Sequence, residues 1–188
     1  MVSAAGSKPG KNMESKGNEF RNPPPVKSLV VVFSYHHNNT GKIAQVIANV
    51  LDAPIKTPRE ITPEEIREYD LVGFGSGIYG GTVHASLLDL ADRLPQAGNK
   101  KAFLFSTYGA PAFIANREFI GKNHQQIREK LQAKGYTIPG EFGCAGLNTN
   151  SFLKYFGGLN KGKPDAEDLR NAEEFARNLK RRMAGELQ

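Results

Sequence analysis

Leu29-Val30-Val31-Val32-Phe33-Ser34-Tyr35-His36-His37-Asn38-Asn39-Thr40-Gly41-Lys42 passes without a break from an apolar run to a loop rich in hydroxyl, amide and imidazole groups. Directly behind it, Ile43, Val46, Ile47, Val50 and Leu51 recur at helical spacing and lay one apolar stripe on a helix that begins near Thr40. A buried strand that empties through such a loop into a helix N-terminus suits an anion. The unpaired N–H groups of the first turn and the positive end of the helix dipole both face the loop.

The rest of the chain repeats this alternation. Ala53 to Thr57 reads as a weak second strand, and Thr62-Pro63-Glu64-Glu65 as a short helix start with Thr62 as cap, Pro63 at the first helical position and Glu65 closing a capping box. Leu71 to Gly75 is a third strand that opens into a second loop, Ser76-Gly77-Ile78-Tyr79-Gly80-Gly81, before a helix marked by Leu87, Leu90, Ala91 and Leu94. Ala102 to Phe105 is a fourth strand opening into a third loop, Ser106-Thr107-Tyr108-Gly109-Ala110-Pro111. Its helix carries Phe119, Ile120, Ile127 and Leu131 and stops at Gly135. The fifth strand, Tyr136 to Cys144, contains Pro139, which cannot donate to a ladder and so assigns the strand to a sheet edge. A Gly- and Asn-rich stretch from Ala145 to Pro164 precedes a last helix capped by Asp165 and striped with Leu169, Ala172, Ala176, Leu179 and Met183.

Strand and helix alternating at this length predict an α/β fold: a five-stranded parallel sheet with helices on both faces, a doubly wound three-layer sandwich in strand order 2-1-3-4-5. That order makes strands one, three and four neighbours. The loops that begin at Ser34, Ser76 and Ser106 then line one crevice at the carboxyl edge of the sheet, where such folds bind ligands. The three loops with the richest chemistry are the three that meet.

Composition bounds the function classes. The chain has 188 residues, suited to one domain with a proper core. Residues 1–27, rich in Gly, Ser, Lys, Asn and Pro and ending in Pro23-Pro24-Pro25, read as a disordered leader, leaving 28–188 as the domain. The leader holds Lys8, Lys11, Lys16, Arg21 and Lys27 against Glu14 and Glu19, so three of the six net positive charges belong to it. The body is then only mildly basic, and no folded basic face speaks for nucleic acid. No apolar run approaches a membrane span, and there is no transmembrane segment or secretory signal. The single cysteine, Cys144, excludes an internal disulfide and a thiol zinc site and places the chain in the reducing cytoplasm.

Ser34 to Thr40, Ser76-Gly77-Ile78-Tyr79-Gly80-Gly81 and Ser106-Thr107-Tyr108-Gly109 resemble the three flavin-binding loops of the flavodoxin-like family, and the resemblance runs from Lys27 to Gln188. It implies FMN as cofactor. Ser34, Asn39 and Thr40, with backbone N–H groups, would hold the phosphate, and the other two loops would enclose the isoalloxazine. The residues support this on their own chemistry. Ser34, Asn38, Asn39 and Thr40 supply donors for a dianion, aided by the dipole and by Lys42 or His37. Tyr79 and Tyr108 supply flat faces, and Gly77, Gly80, Gly81 and Gly109 let the backbone approach a planar ring. The chain departs from the family in having no tryptophan, in placing Asn38 where a glycine is common, and in being basic where electron-carrier flavodoxins are acidic.

Other phosphate chemistries fail on particular residues. Thr40-Gly41-Lys42 invites a nucleotide P-loop, but that motif needs Gly where His36 stands and Ser or Thr where Ile43 stands. The first loop has no cysteine for a phosphatase, and Phe33-Ser34 offers no paired aspartates for a phosphoryl receiver. His36 and His37, being adjacent, point apart and make no metal pair. His84 opens a helix beside the second loop, as a ligand contact or as an exposed first-turn residue, and His124 reads as a helix-surface residue. Phe152, Tyr155 and Phe156 are expected to pin the long loop at the rim of the site. The expected activity is electron transfer through bound flavin, with a redox partner protein or a small acceptor such as a quinone. The alternative on the same fold is an NAD(P)H-dependent flavin or quinone oxidoreductase. Tyr79-Gly80-Gly81-Thr82-Val83-His84 also resembles flavodoxin-like protoporphyrinogen oxidases. No catalytic side chain and no metal ligand is singled out.

Overall fold

The computed structural model describes residues 25–114, 116–150 and 157–185, together with Met1 and Tyr155. Most of the leader assigned to 1–27 lies outside the described residues, as do Phe152 and Phe156.

Five parallel strands form the sheet: β1 (Ser28–Phe33), β2 (Ile55–Lys56), β3 (Leu71–Tyr79), β5 (Lys101–Tyr108) and β6 (Glu141–Ala145), in spatial order β2-β1-β3-β5-β6. This is the expected doubly wound order. A sixth strand, β4 (Thr82–Val83), folds back antiparallel on the end of β3. Along β1, Leu29 and Val31 enter one core while Val30 and Val32 enter the other, so the continuous apolar run is buried on both faces. One face is covered by α1 (Asn39–Leu51) and α5 (Ala166–Met183), whose Ile43, Ile47, Ala172 and Ala176 meet Phe103 and Phe105. The other is covered by α3 (Ala85–Arg93) and α4 (Arg117–Ala133), whose Leu87, Leu90, Ile127 and Leu131 meet Phe74 and Leu104.

The caps follow the sequence closely. α2 (Pro63–Ile66) starts with the full Thr62–Glu65 capping box, and α5 starts with one between Asp165 and Asp168. The first satisfies two backbone N–H groups that the start of a helix leaves orphaned and the second three.

Two central strands run further than their composition predicts. Ser76 to Tyr79 and Ser106 to Tyr108 lie within β3 and β5, not in loops, with Ser76 paired to Phe33 on one side and Ser106 on the other. Ladder partners on both sides override the loop-like preference of Gly and Ser. The chain turns only at Gly80 and Gly81, whose φ values of 60° and 88° make the two-residue reversal into β4 that side chains with a Cβ resist. β6 is shorter than expected. It begins at Glu141, after Pro139 and Gly140, because proline interrupts pairing; a lone bridge from Thr137 to Lys101 is what remains of the earlier portion. Cys144 is free and buried, and burial pushes its thiol well above the ordinary range, with Asp168 adding to the effect.

Candidate functional site

At the carboxyl edge of β1, β3 and β5 a crevice of about 440 Å³ opens, inside the roughly 300–1,000 Å³ typical of small-molecule sites. All three loops reach it. Ser34, His36, His37, Asn39 and Thr40 line it from the first, Gly77, Ile78, Tyr79 and Gly81 from the second, and Thr107, Tyr108 and Gly109 from the third. Asn38, Ser76, Gly80 and Ser106 do not reach its surface.

The first loop enters α1 through two consecutive left-handed residues, His37 and Asn38, both at φ 52°. Asparagine tolerates this conformation better than most side chains, so Asn38 does what a glycine would do there. Its side chain makes no capping bond to the helix. Instead Ser34 Oγ accepts from the Gly41 N–H at 3.1 Å, crossing the mouth of the helix. Thr40 is buried, its hydroxyl 2.8 Å from that of Thr107 on β5. Asn39 is also buried; its Nδ2 donates to Leu147 O at 2.9 Å, which fixes the amide, and leaves Oδ1 buried with no partner among the described residues. The two histidines are exposed, and His37 Nε2 lies 2.7 Å from Thr149 Oγ1, joining the first loop to the stretch after β6.

In the second loop, Tyr79 is half-buried and folds back so that its hydroxyl would meet a Cβ on Gly77 at 3.0 Å. Burial holds its phenol above the ordinary value. The ring stands edge-on to Phe33 and to His84, and Phe33 and His84 stack at 3.6 Å between centroids. His84 caps α3 through Nδ1, which accepts from the Ser86 N–H at 3.2 Å, while the His84 backbone N–H donates to Ser76 Oγ at 3.0 Å. Ser76 thus ties β3 to α3 from beneath the crevice.

In the third loop, Tyr108 is only 6% exposed and stands edge-to-face on Phe119 at 5.3 Å. Burial pushes its phenol up to about 12. It is a wall of the crevice more than an open stacking face. The more exposed ring at the mouth is Tyr35, at 76%.

Phe119 and Asn123 went unrecognised in the sequence as lining residues. Phe119 and Asn123 reach the crevice from α4, and Gly146 to Asn150 from the stretch after β6, as expected of a rim. Asn148 holds that stretch in place: its Nδ2 donates to Gly109 O at 3.0 Å and its backbone pairs with Leu159. His124 is a correction. It is fully buried, not on the helix surface, with Nε2 2.9 Å from Ser106 Oγ and Nδ1 3.0 Å from Glu141 Oε2. The signal was present, since His124 falls four residues after Ile120 and three before Ile127, on the apolar stripe.

Comparison with known proteins places the chain in a family. A family model described as a flavodoxin domain matches residues 30–152. The chain belongs to the flavodoxin domain family. It is 44% identical over 154 residues to an uncharacterized protein of Methanocaldococcus jannaschii, MJ0298, covering 82% of this chain and 98% of that one. Among solved structures, oxidised flavodoxin 2 from Bacillus cereus superposes with a TM-score of 0.58 at 19% identity, over 80% of this chain and 95% of that one. The flavodoxin, WrbA-like protein from Agrobacterium tumefaciens superposes with a TM-score of 0.58 at 14% identity, over 87% and 99%. These two likenesses are of fold. Among the described residues, no helix is long and apolar enough to cross a membrane.

The residues present fit a flavin phosphate. The helix N-terminus and the Ser34 hydroxyl, whose oxygen accepts from Gly41 and whose proton is free to donate, suit a phosphate. Asn39, its Nδ2 committed to Leu147 O, holds the loop in place. Gly146 is also needed, because a Cβ there would come within 2.7 Å of Asn39 Nδ2.

Proposed function

We propose that the crevice binds FMN and that the protein passes electrons through it, to or from a redox partner protein or a small acceptor such as a quinone. The observation that carries this reading is convergence. Three stretches far apart in sequence supply one crevice with a helix N-terminus, buried hydroxyls and amides, and a glycine hairpin beside an aromatic ring. Ser34, Asn39 and Thr40 would hold the phosphate end, and Gly77 to Gly81 with Thr107 to Gly109 would flank the ring system. Asn38, Ser76 and Ser106 support these positions from behind, and His36 and His37 close the first loop over them. Once bound, a flavin supplies one- and two-electron chemistry. The chain's part is to bind, orient and exclude water. Burial raises the phenols of Tyr79 and Tyr108 further above neutral pH, so neither puts a negative charge beside the ligand. The reading assigns 28–188 to this domain, 1–27 to a leader, and the protein to the cytoplasm on the strength of its lone thiol.

Titration of the purified protein with FMN, followed by flavin absorbance and fluorescence, is the test. A saturable spectral change supports the reading; an unperturbed flavin spectrum at high protein concentration rejects it. Anaerobic addition of NADPH to the FMN-loaded protein then separates the activities. Bleaching only after a partner reductase is added supports a carrier, and direct bleaching an NAD(P)H-dependent oxidoreductase.

A further inference from the structure

Behind the crevice wall, four side chains form a hydrogen-bonded file, buried at Ser106 and His124 and half-buried at Glu141 and Arg128, whose chemistry the flavin reading leaves unused. Arg128 grips Glu141 through Nε and, at 2.8 Å, through Nη2, and the same Nη2 donates to Gly121 O at 2.7 Å. Glu141 Oε2 faces His124 Nδ1, and His124 Nε2 faces Ser106 Oγ. Burial would raise the Glu141 carboxyl, but the bonds from Arg128 and His124 outweigh it and hold it down at about 2, so the group is an acceptor only. A carboxylate opposite Nδ1 requires the proton on that nitrogen. In the neutral ring Nε2 then accepts from the Ser106 hydroxyl, and every polar atom of the imidazole is satisfied.

The file joins three elements, with Arg128 and His124 on α4, Glu141 on β6 and Ser106 on β5. Its inner end lies next to the site on both sides. Ser106 precedes Thr107, which bonds Thr40, and His124 follows Asn123, which lines the crevice. Asn123 is tied to its own helix through Phe119 O at 2.7 Å, and a Cβ on Gly81 would stand 3.9 Å from Asn123 Oδ1. The register between α4 and β5 therefore sets how far Phe119 and Asn123 stand from the β3–β4 hairpin.

We propose that His124 is a positioning residue for the ligand site: its bond to Ser106 fixes the α4 wall of the crevice, and its bond to Glu141 anchors the helix to β6. This rests on the FMN reading for its ligand. The two bonds are separable, because an asparagine amide overlays the Nδ1 position of histidine and a glutamine amide overlays Nε2. His124→Gln keeps a partner for Ser106, His124→Asn keeps one for Glu141, and His124→Phe keeps neither.

The test measures FMN affinity by fluorescence titration, and amide hydrogen exchange over residues 119–123 in the flavin-free chain. The expected result is an FMN Kd raised about tenfold in His124→Phe and His124→Asn and within about threefold of the parent in His124→Gln. Exchange at 119–123 should rise in the first two and not in the third. Equal losses in the Gln and Asn variants that track the melting temperature would make the role merely structural and overturn the proposal. So would parent-like affinity in His124→Phe. If the parent itself binds no FMN, the functional reading fails, while the exchange pattern still decides the positioning role.

Discussion

Gly75 on β3 and Phe105 on β5 stand in register, and the phenylalanine ring lies across the glycine so closely that a Cβ there would sit 2.0 Å from Cζ. Gly73 and Phe103 repeat the arrangement two residues earlier, at 2.3 Å. The glycines in this central strand are therefore packing positions, filled by a neighbour's ring. Gly75→Ala should cost about 1–3 kcal/mol by overpacking, a fall in Tm of roughly 3–10 °C for a domain of this size. Gly75→Ala with Phe105→Leu should recover part of it in thermal denaturation. A single variant as stable as the parent would show that the ring has room to move.

The Thr40–Thr107 hydroxyl pair links the first turn of α1 to the end of β5 inside the core. Thr107→Val strands the Thr40 hydroxyl and should cost about 1–3 kcal/mol, whereas replacing both by Val removes the stranded group and should lie closer to the parent. Chemical denaturation of the two singles and the double decides it. A double variant whose loss equals the sum of the singles would argue against a shared bond.

Glu141 makes the fold acid-sensitive. Its carboxyl is held at about 2 in the folded chain against an ordinary 4.5, so the stability it contributes is complete above about pH 5 and is lost as pH falls from about 4.5 towards 2. At about 1.4 kcal/mol per pH unit the gap amounts to roughly 3 kcal/mol. Asp165, held at about 2 first by its bond from Lys163, titrates in the same window. Glu141→Gln should therefore flatten, without abolishing, the decline of the urea midpoint between pH 5 and pH 3. An unchanged slope would mean that Glu141 titrates normally in the fold.

His37 and Thr149 hold the first loop to the rim at 2.7 Å, on the exposed side of the crevice. Exposed polar pairs contribute little to global stability, so His37→Ala should leave Tm within about 1 °C and act on kinetics. FMN should leave about threefold to tenfold faster in stopped-flow displacement, the usual route by which contact changes alter affinity. A matching drop in Tm would move the role from the rim to the core.

Much of this was readable from residue order. The β1–loop–α1 unit, the Thr62 and Asp165 caps and the edge position of β6 follow from local chemistry: apolar runs, helical spacing, and a proline that cannot donate. What escaped was whatever depends on a partner elsewhere in the chain. Ser76-Gly77 and Ser106-Thr107 look like loop until β1, β3 and β5 are laid side by side and supply the ladder. His124 looks like helix surface because polarity outweighed its place on the stripe of Phe119, Ile120 and Ile127. The burial of His124 is tolerable because Ser106 and Glu141 wait on other strands, and no local window contains those partners.

The extension of β3 and β5 up to the crevice divides the labour of the site. Gly77 to Tyr79 and Thr107 to Tyr108 belong to paired strands, whereas Tyr35, Ala110 and Thr149 sit on connecting loops. Laddered strands resist displacement, and loops accept substitution and insertion. Such a scaffold keeps the strand-borne part of its crevice constant while the collar around it is rewritten, so the choice of what meets the crevice can change from one descendant to the next without disturbing its floor.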